Sequence, residues 1–280
     1  MALVSMKEML AKANEGHYAV GNFDVFNIEM VTGVIDAAEE TRSPIILAFG
    51  GEFEKLADIG DIGAYIRSAA GRASVPVTLH LDHATEFSLV MRALKAGFTS
   101  VMVDASFKSL EDNIATTQEI VKICREYGVS VEAELGHVGG LGFYDEDQDT
   151  ECYTVVEEAA RFVKETGIDA LAVAIGTVHG VYKREPKLNI NRLHELKEAL
   201  QMPLVLHGGS GLSDEDLTRC VANGINKINI FTDLTLAAMD QMKADADTGL
   251  NYLGKCTNVR DAVHKVARDR MQVLRSAGKA

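Results

Sequence analysis

His80, Asp82 and His83 stand close together at the end of an apolar run, "VTLHLDHATE" (77–86). Imidazoles beside a carboxylate can hold a metal ion or move a proton. Two more histidines follow short apolar runs, His179 in "AIGTVHG" and His207 in "VLHGGSG". Acidic groups occupy comparable places: Asp104 after "TSVMV", and Glu132 and Glu134 in "VSVEAEL". Asn229 and Thr232 fall in the run "INKINIFT". A lone histidine near a strand end is more often structural than a ligand. Three of them at equivalent strand ends, with acidic neighbours, reverse that preference, because three neutral imidazoles and an open position make a catalytic zinc shell. His80 faces either the barrel interior or the helix layer, and packing alone could account for it.

Eight apolar runs could position these groups: 18–25, 44–49, 75–82, 99–105, 129–135, 169–176, 203–209 and 225–232. Most are rich in Val, Ile, Leu and Ala with little polar alternation, as in parallel strands buried on both faces. The gaps carry helical periodicity. "EFSLVMRALKAG" closes on Gly97, and "SLEDNIATTQEIVKICREYG" closes on Gly128. Eight βα units in this length predict an α/β fold, a (β/α)8 TIM barrel formed by a single domain over 1–280, with additional N- and C-terminal helices. The polar groups named above would then meet at the C-terminal mouth of the barrel.

Composition narrows the function. The chain has 280 residues, 47% of them apolar, and a formal net charge of −13 with no basic block. Nucleic acid and anionic membranes are therefore poor partners, whereas a small anion in one local site is compatible. Cys124, Cys152, Cys220 and Cys256 form no CxxC pair, which suits a reducing compartment. The N-terminus reads as an amphipathic helix rather than a signal peptide, and no apolar run spans a bilayer. A cytoplasmic protein is expected. "HGGSGLSDEDL" (207–217) is a Gly-rich turn entering a helix, with Ser213 as its N-cap. Such turns offer backbone N–H groups to an anion, and barrels often hold phosphate after strands seven and eight. "HGVYK" (179–183) adds a cation nearby.

The chain resembles the class II, zinc-dependent fructose/tagatose-bisphosphate aldolases, as a divergent member. "VPVTLHLDHA", "VEAELGHVGG", "AIGTVHGVYK", "LVLHGGSGL" and "KINIFTDL" occur in the family's order and spacing. The resemblance implies a (β/α)8 barrel, a Zn2+ cofactor with a monovalent cation as a second candidate, a sugar-phosphate substrate, and a homodimer or homotetramer. It implies His83, His179 and His207 as zinc ligands, with Asp104 and Glu134 as acidic residues near the metal. Asp82 matches the acid/base at the C4 hydroxyl. Gly180, Lys183, Gly208, Gly209, Ser210, Asn229 and Thr232 match positions that hold the dihydroxyacetone phosphate half, and Asn229 also orients the enediolate. The chemistry agrees: zinc can take up charge on a C2 oxygen, and a carboxylate can move the C4 hydroxyl proton. A Schiff-base lysine is the other aldolase solution. Lys227 is the only strand candidate and is expected at the entry end, so that route is disfavoured.

Four positions depart from the family pattern. After "GG" the loop reads "LGFYDEDQD", with Leu141 and Gly142 where an acidic C3 base is expected; Asp145 or Glu146 could take that role. The other departures concern the distal phosphate: Asp24 stands for Asn, Gly50 and Gly51 for a Ser, and Leu250 for an Arg. A carboxylate for an amide and an apolar group for a cation both disfavour a phosphate, unless Arg260 or another subunit compensates. A ketose 1-phosphate is therefore the expected substrate, and a 1,6-bisphosphate the alternative. A metal-dependent sugar-phosphate epimerase and a non-catalytic subunit are the rival classes.

Overall fold

The computed structural model describes residues 3–136, 138, 153–182 and 185–280. Its eight strands are β1 (Val20–Asp24), β2 (Ile45–Gly50), β3 (Val77–Ala84), β4 (Ser100–Val103), β5 (Ser130–Leu135), β6 (Ala170–Val173), β7 (Leu204–Leu206) and β8 (Ile225–Ile230). All neighbours pair in parallel, and β8 closes on β1 with Asn22 opposite Asn229. Each strand is followed by a helix: α2 (Ile28–Thr41), α3 (Ile59–Ala70), α4 (Phe87–Ala96), α5 (Leu110–Glu126), α6 (Val156–Thr166), α7 (Ile190–Leu200), α8 (Asp214–Ala222) and α9 (Thr232–Ala244). The expected (β/α)8 barrel is thus present. Two helices are added to it, α1 (Met6–Gly16) and α10 (Tyr252–Val273), the latter packed on α2 and α9.

Alternation along each strand divides the side chains into two sets. The outer set, including Leu47, Leu79, Val101 and Ile228, packs against the helices in one large apolar cluster. The inner set changes character along the barrel. Val20, Ile46, Ala170, Ala172 and Val205 join Met6, Met9, Leu10 and Ala13 of α1 in a separate cluster. Helix α1 therefore seals the N-terminal end of the barrel. Further along come buried polar side chains: Asn22, His80, Glu132 and Lys227, then Asp24, Asp82, Glu134 and Asn229. Gly97 closes α4 in the left-handed conformation, and Ser213 caps α8 by accepting from Asp216 N–H. Thr232 lies at the first turn of α9 rather than in the last strand, because β8 ends at Ile230. No helix among the described residues is long and apolar enough to cross a membrane.

Candidate active site

One irregularity builds the site. Strict alternation would send Asp82 and His83 to opposite faces of β3. The β3–β4 register shifts between Leu81 and Ala84, and His83 takes a left-handed φ of 46°. Such a bulge re-aims a side chain, and strain of this kind gathers at functional sites. His83 consequently turns its ring toward the mouth beside Asp82.

There it meets two other rings. His83 Nε2 lies 2.9 Å from His207 Nδ1, and His179 Nε2 lies 3.4 Å from the same atom. The three ring planes are nearly perpendicular to one another. The outer nitrogens of two of them are held by carboxylates. His83 Nδ1 donates to Asp104 Oδ2 at 2.8 Å, and His207 Nε2 to Glu132 Oε1 at 3.0 Å. Metal-binding histidines are commonly oriented this way. With those protons directed outward, the inner nitrogens bring three lone pairs together, an arrangement that repels itself unless a cation or proton is shared. Burial disfavours charge on His83, but Asp82, Asp104 and Glu134 outweigh it and raise its pKa to about 10. Burial, followed by His83 and His207, lowers His179 to about 3. The chain itself therefore places positive charge at this point. A divalent cation fits the same donor set, with His83, Asp104 and Glu134 as an overlapping group of ligand atoms.

Asp82 is buried beside the triad. Its Oδ2 accepts from Asn229 Nδ2 at 3.0 Å and is 4.0 Å from His83 Nε2. Its Oδ1 faces His80 Nε2 at 3.6 Å, which settles His80 in the interior. Burial opposes ionisation of Asp82, yet His83, His80 and Lys227 hold its pKa well below the ordinary carboxylate range. Burial and the Asp82 charge push neighbouring Asp24 well above that range. One carboxylate and one neutral carboxyl thus lie side by side. Burial and Asp104 raise Glu134 to about 8.

A cavity of about 480 Å³ opens over these groups. On one side lie Gly208, Ser210, Asn229 and Thr232. Gly208 has φ +69°, and a Cβ on Gly209 would stand 2.3 Å from Ile228 Cγ2. Ser210 Oγ accepts from Phe231 and Asp233 N–H, and Asp233 Oδ1 takes Gly211 N–H. The Ser210 hydroxyl and Gly211 N–H are thus engaged within the turn itself, so it has fewer donors for an anion than a free Gly-rich turn suggests. Gly180 sits in open space with φ +88°. On the other side lie Asp24, Gly50, Gly51, Glu52, Glu54 and Glu86. Arg92 also lines this wall, but its guanidinium is engaged by Glu54 and Asp58, each at 2.7 Å. Leu250 and Arg260 are not among the lining residues. Lys183, Asp145 and Glu146 lie outside the described residues.

Sequence reasoning left three groups without a role. Glu132 and Lys227 form a fully buried pair at 2.9 Å beneath His207. Lys227 is therefore inside the barrel rather than at its entry, and its amine is already paired. The i, i+2 spacing of Glu132 with Glu134 and of Lys227 with Asn229 carried that signal. Tyr182 donates from its hydroxyl to Gly208 O at 2.7 Å, tying the His179 loop to the Gly-rich turn. No short-range pattern marks that contact.

Comparisons with known proteins agree with this geometry. The family model described as fructose-bisphosphate aldolase class-II matches residues 4–279. The YdjI protein of Escherichia coli K12 is 43% identical over 268 residues, 96% of each chain. The crystal structure of the YdjI aldolase superposes with a TM-score of 0.91 at 40% identity, covering 99% of each chain. The 6-phospho-5-dehydro-2-deoxy-D-gluconate aldolase of Halalkalibacterium halodurans is 39% identical over 288 residues, spanning 100% of this chain and 99% of that protein. A match of this extent, with relatives that align end to end, leads to one assignment: the chain belongs to the class II fructose-bisphosphate aldolase family and is a carbon–carbon lyase.

Proposed function

We propose that the protein is a zinc-dependent aldolase that reversibly cleaves a ketose 1-phosphate to dihydroxyacetone phosphate and an aldehyde without a terminal phosphate. The observation that carries this reading is the convergence of His83, His179 and His207 within 3.4 Å of His207 Nδ1, with Asp82 beside them. His83, His179 and His207 would hold the metal, which supplies a Lewis acid for charge developing on the substrate's carbonyl oxygen. Asp82, kept ionised, accepts the proton of the C4 hydroxyl and returns it in the condensation direction. Asn229 holds Asp82 Oδ2 in place for that transfer. Gly209 and Ser210 N–H, at the start of the Gly-rich turn, take the phosphate. Lys183 and a loop acid, Asp145 or Glu146, complete the proposal as phosphate cation and C3 base.

Support for the missing distal phosphate comes from the opposite wall. Glu52, Glu54 and Glu86 line it, and its one described cation, Arg92, is bound by two carboxylates. The Halalkalibacterium relative is named for a substrate with a single phospho group. A cytoplasmic homodimer or homotetramer completes the reading, and light scattering on the purified protein tests the assembly.

The deciding experiment is coupled detection of dihydroxyacetone phosphate from paired ketose 1-phosphates and 1,6-bisphosphates, with and without chelator. The expected result is release that chelator abolishes and zinc restores, faster with the 1-phosphate. A bisphosphate preference above about a hundredfold in kcat/KM, ~2.7 kcal/mol, would overturn the distal-phosphate part. Products that conserve the carbon count would indicate an epimerase instead.

A further inference from the structure

Beneath the three histidines lies a charge pair that proton transfer does not use. Lys227 Nζ is 3.0 Å from Glu132 Oε1 and 2.9 Å from Oε2, and all three side chains of the series Lys227, Glu132 and His207 are fully buried. Such a pair faces a large desolvation penalty, and apolar residues of the same volume often serve stability as well or better. Its presence in the barrel interior therefore asks for a role other than stability.

The geometry points to Lys227 and Glu132 as positioning residues that fix the tautomer of His207 and thereby turn its Nδ1 lone pair toward His83 and His179. This rests on the reading that those three histidines hold a cation. An ammonium has only protons to offer, and Lys227 donates one to Glu132 Oε1, with Oε2 at ion-pair distance from the same amine. The ion pair keeps Glu132 a carboxylate, which can only accept. His207 Nε2, 3.0 Å from the same Oε1, must then be the donor. A neutral imidazole that donates from Nε2 has a bare Nδ1. That atom is the one 2.9 Å from His83 Nε2 and 3.4 Å from His179 Nε2. The strand register makes the arrangement possible. Glu132 lies in β5 and Lys227 in β8, separated by β6 and β7, and the inward side chains of those two strands, Ala170, Ala172 and Val205, are small enough to let the pair meet. His80 Nε2, at 3.8 Å from Glu132 Oε2, is too distant to replace the lysine as donor.

The test uses the full-length protein as Lys227→Met and as the double variant Glu132→Gln/Lys227→Met. The double variant covers the case in which Lys227→Met leaves a buried, unpaired carboxylate and does not fold. The amide that Glu132→Gln introduces can present either its oxygen or its NH2 to the ring, so the commitment is lost without a buried charge. Two quantities are read. Nitrogen-15 NMR of the metal-free protein, with His207 assigned by difference against His207→Gln, reports which ring nitrogen carries the proton. Calorimetric titration with Zn2+ alone reports affinity. The expected result is a bare Nδ1 in the wild type, a mixed tautomer in the folded variants, and Zn2+ affinity reduced roughly ten- to a hundredfold, the usual effect of removing a ligand's supporting partner. A folded variant with the wild-type tautomer and affinity within about twofold would overturn the inference. A bare Nδ1 in a wild type that binds no Zn2+ would refute the metal reading while the tautomer assignment stood.

Discussion

Replacing Gly209 with alanine would drive a methyl group into the barrel wall. The added Cβ would stand 2.3 Å from Ile228 Cγ2 and 2.8 Å from Asn229 O. Ordinary carbon contacts begin near ~3.5 Å, so the loop or β8 must move by about 1 Å. Strand β8 cannot yield easily, because it pairs with β7 and β1 and Asn229 is in register with Asn22. The turn would move instead, carrying Gly208 and Ser210 with it. Overpacking of this kind costs about 1–3 kcal/mol of stability, roughly 2–5 °C in Tm for a chain of this size. Catalysis should suffer more. A misplacement of ~1 Å of a substrate-holding group costs about a hundredfold, and the residual push on Asn229 O bears on the residue whose side chain makes the 3.0 Å bond to Asp82. The expected outcome for Gly209→Ala is a folded protein whose kcat/KM for dihydroxyacetone phosphate release falls about a hundredfold. Thermal melting and the coupled assay measure the two effects. Wild-type kcat/KM and an unchanged Tm would refute the assignment of this turn as the rigid phosphate wall.

Three further outcomes are expected. Asp82→Asn keeps the size of the group but removes the proton acceptor, so kcat should fall about 10²–10⁴-fold while calorimetric Zn2+ affinity stays close to that of the wild type. Glu52→Gln removes an acidic group from the distal wall, and the ratio of kcat/KM for a 1,6-bisphosphate over a 1-phosphate should rise by about tenfold or more; an unchanged ratio would clear Glu52 of that role. Chelated protein should lose stability as pH rises from about 7 to about 10. His83, raised from 6.5 to about 10, binds more protons folded than unfolded across that range, and Glu134, raised from 4.5 to about 8, does so over its first part, so stability present below it is lost as each releases its proton. Zinc should flatten this dependence, because a cation replaces the proton; melting curves across pH with and without chelator decide the point.

Much of this protein is determined by local pattern. Apolar runs with helical spacing between them specify alternating strands and helices, and eight such units close into a barrel because each strand is hydrophobic on its outer face. His83, His179, His207, Asp104 and Asp82 were legible because the barrel topology sends the ends of separate strands to one mouth. The loop residues Lys183, Asp145 and Glu146 remain expectations, as they lie outside the described residues.

What only the tertiary structure decided depends on orientation and on partners distant in the chain. Asp82 and His83 face the same site because β3 loses register at Leu81/Ala84 and His83 adopts a positive φ, whereas a period-of-two reading separates them. Glu132 and Lys227 are 95 residues apart, and their meeting depends on the small inward side chains of β6 and β7, which lie between β5 and β8. Asp24 and Asp82 have opposite protonation because burial and the Asp82 charge raise Asp24, whereas His83, His80 and Lys227 hold Asp82 down against burial. Sequence spacing encodes which element a residue belongs to. The charge it carries and the direction it faces follow from neighbours brought close by barrel closure, since electrostatic coupling acts through space rather than along the chain.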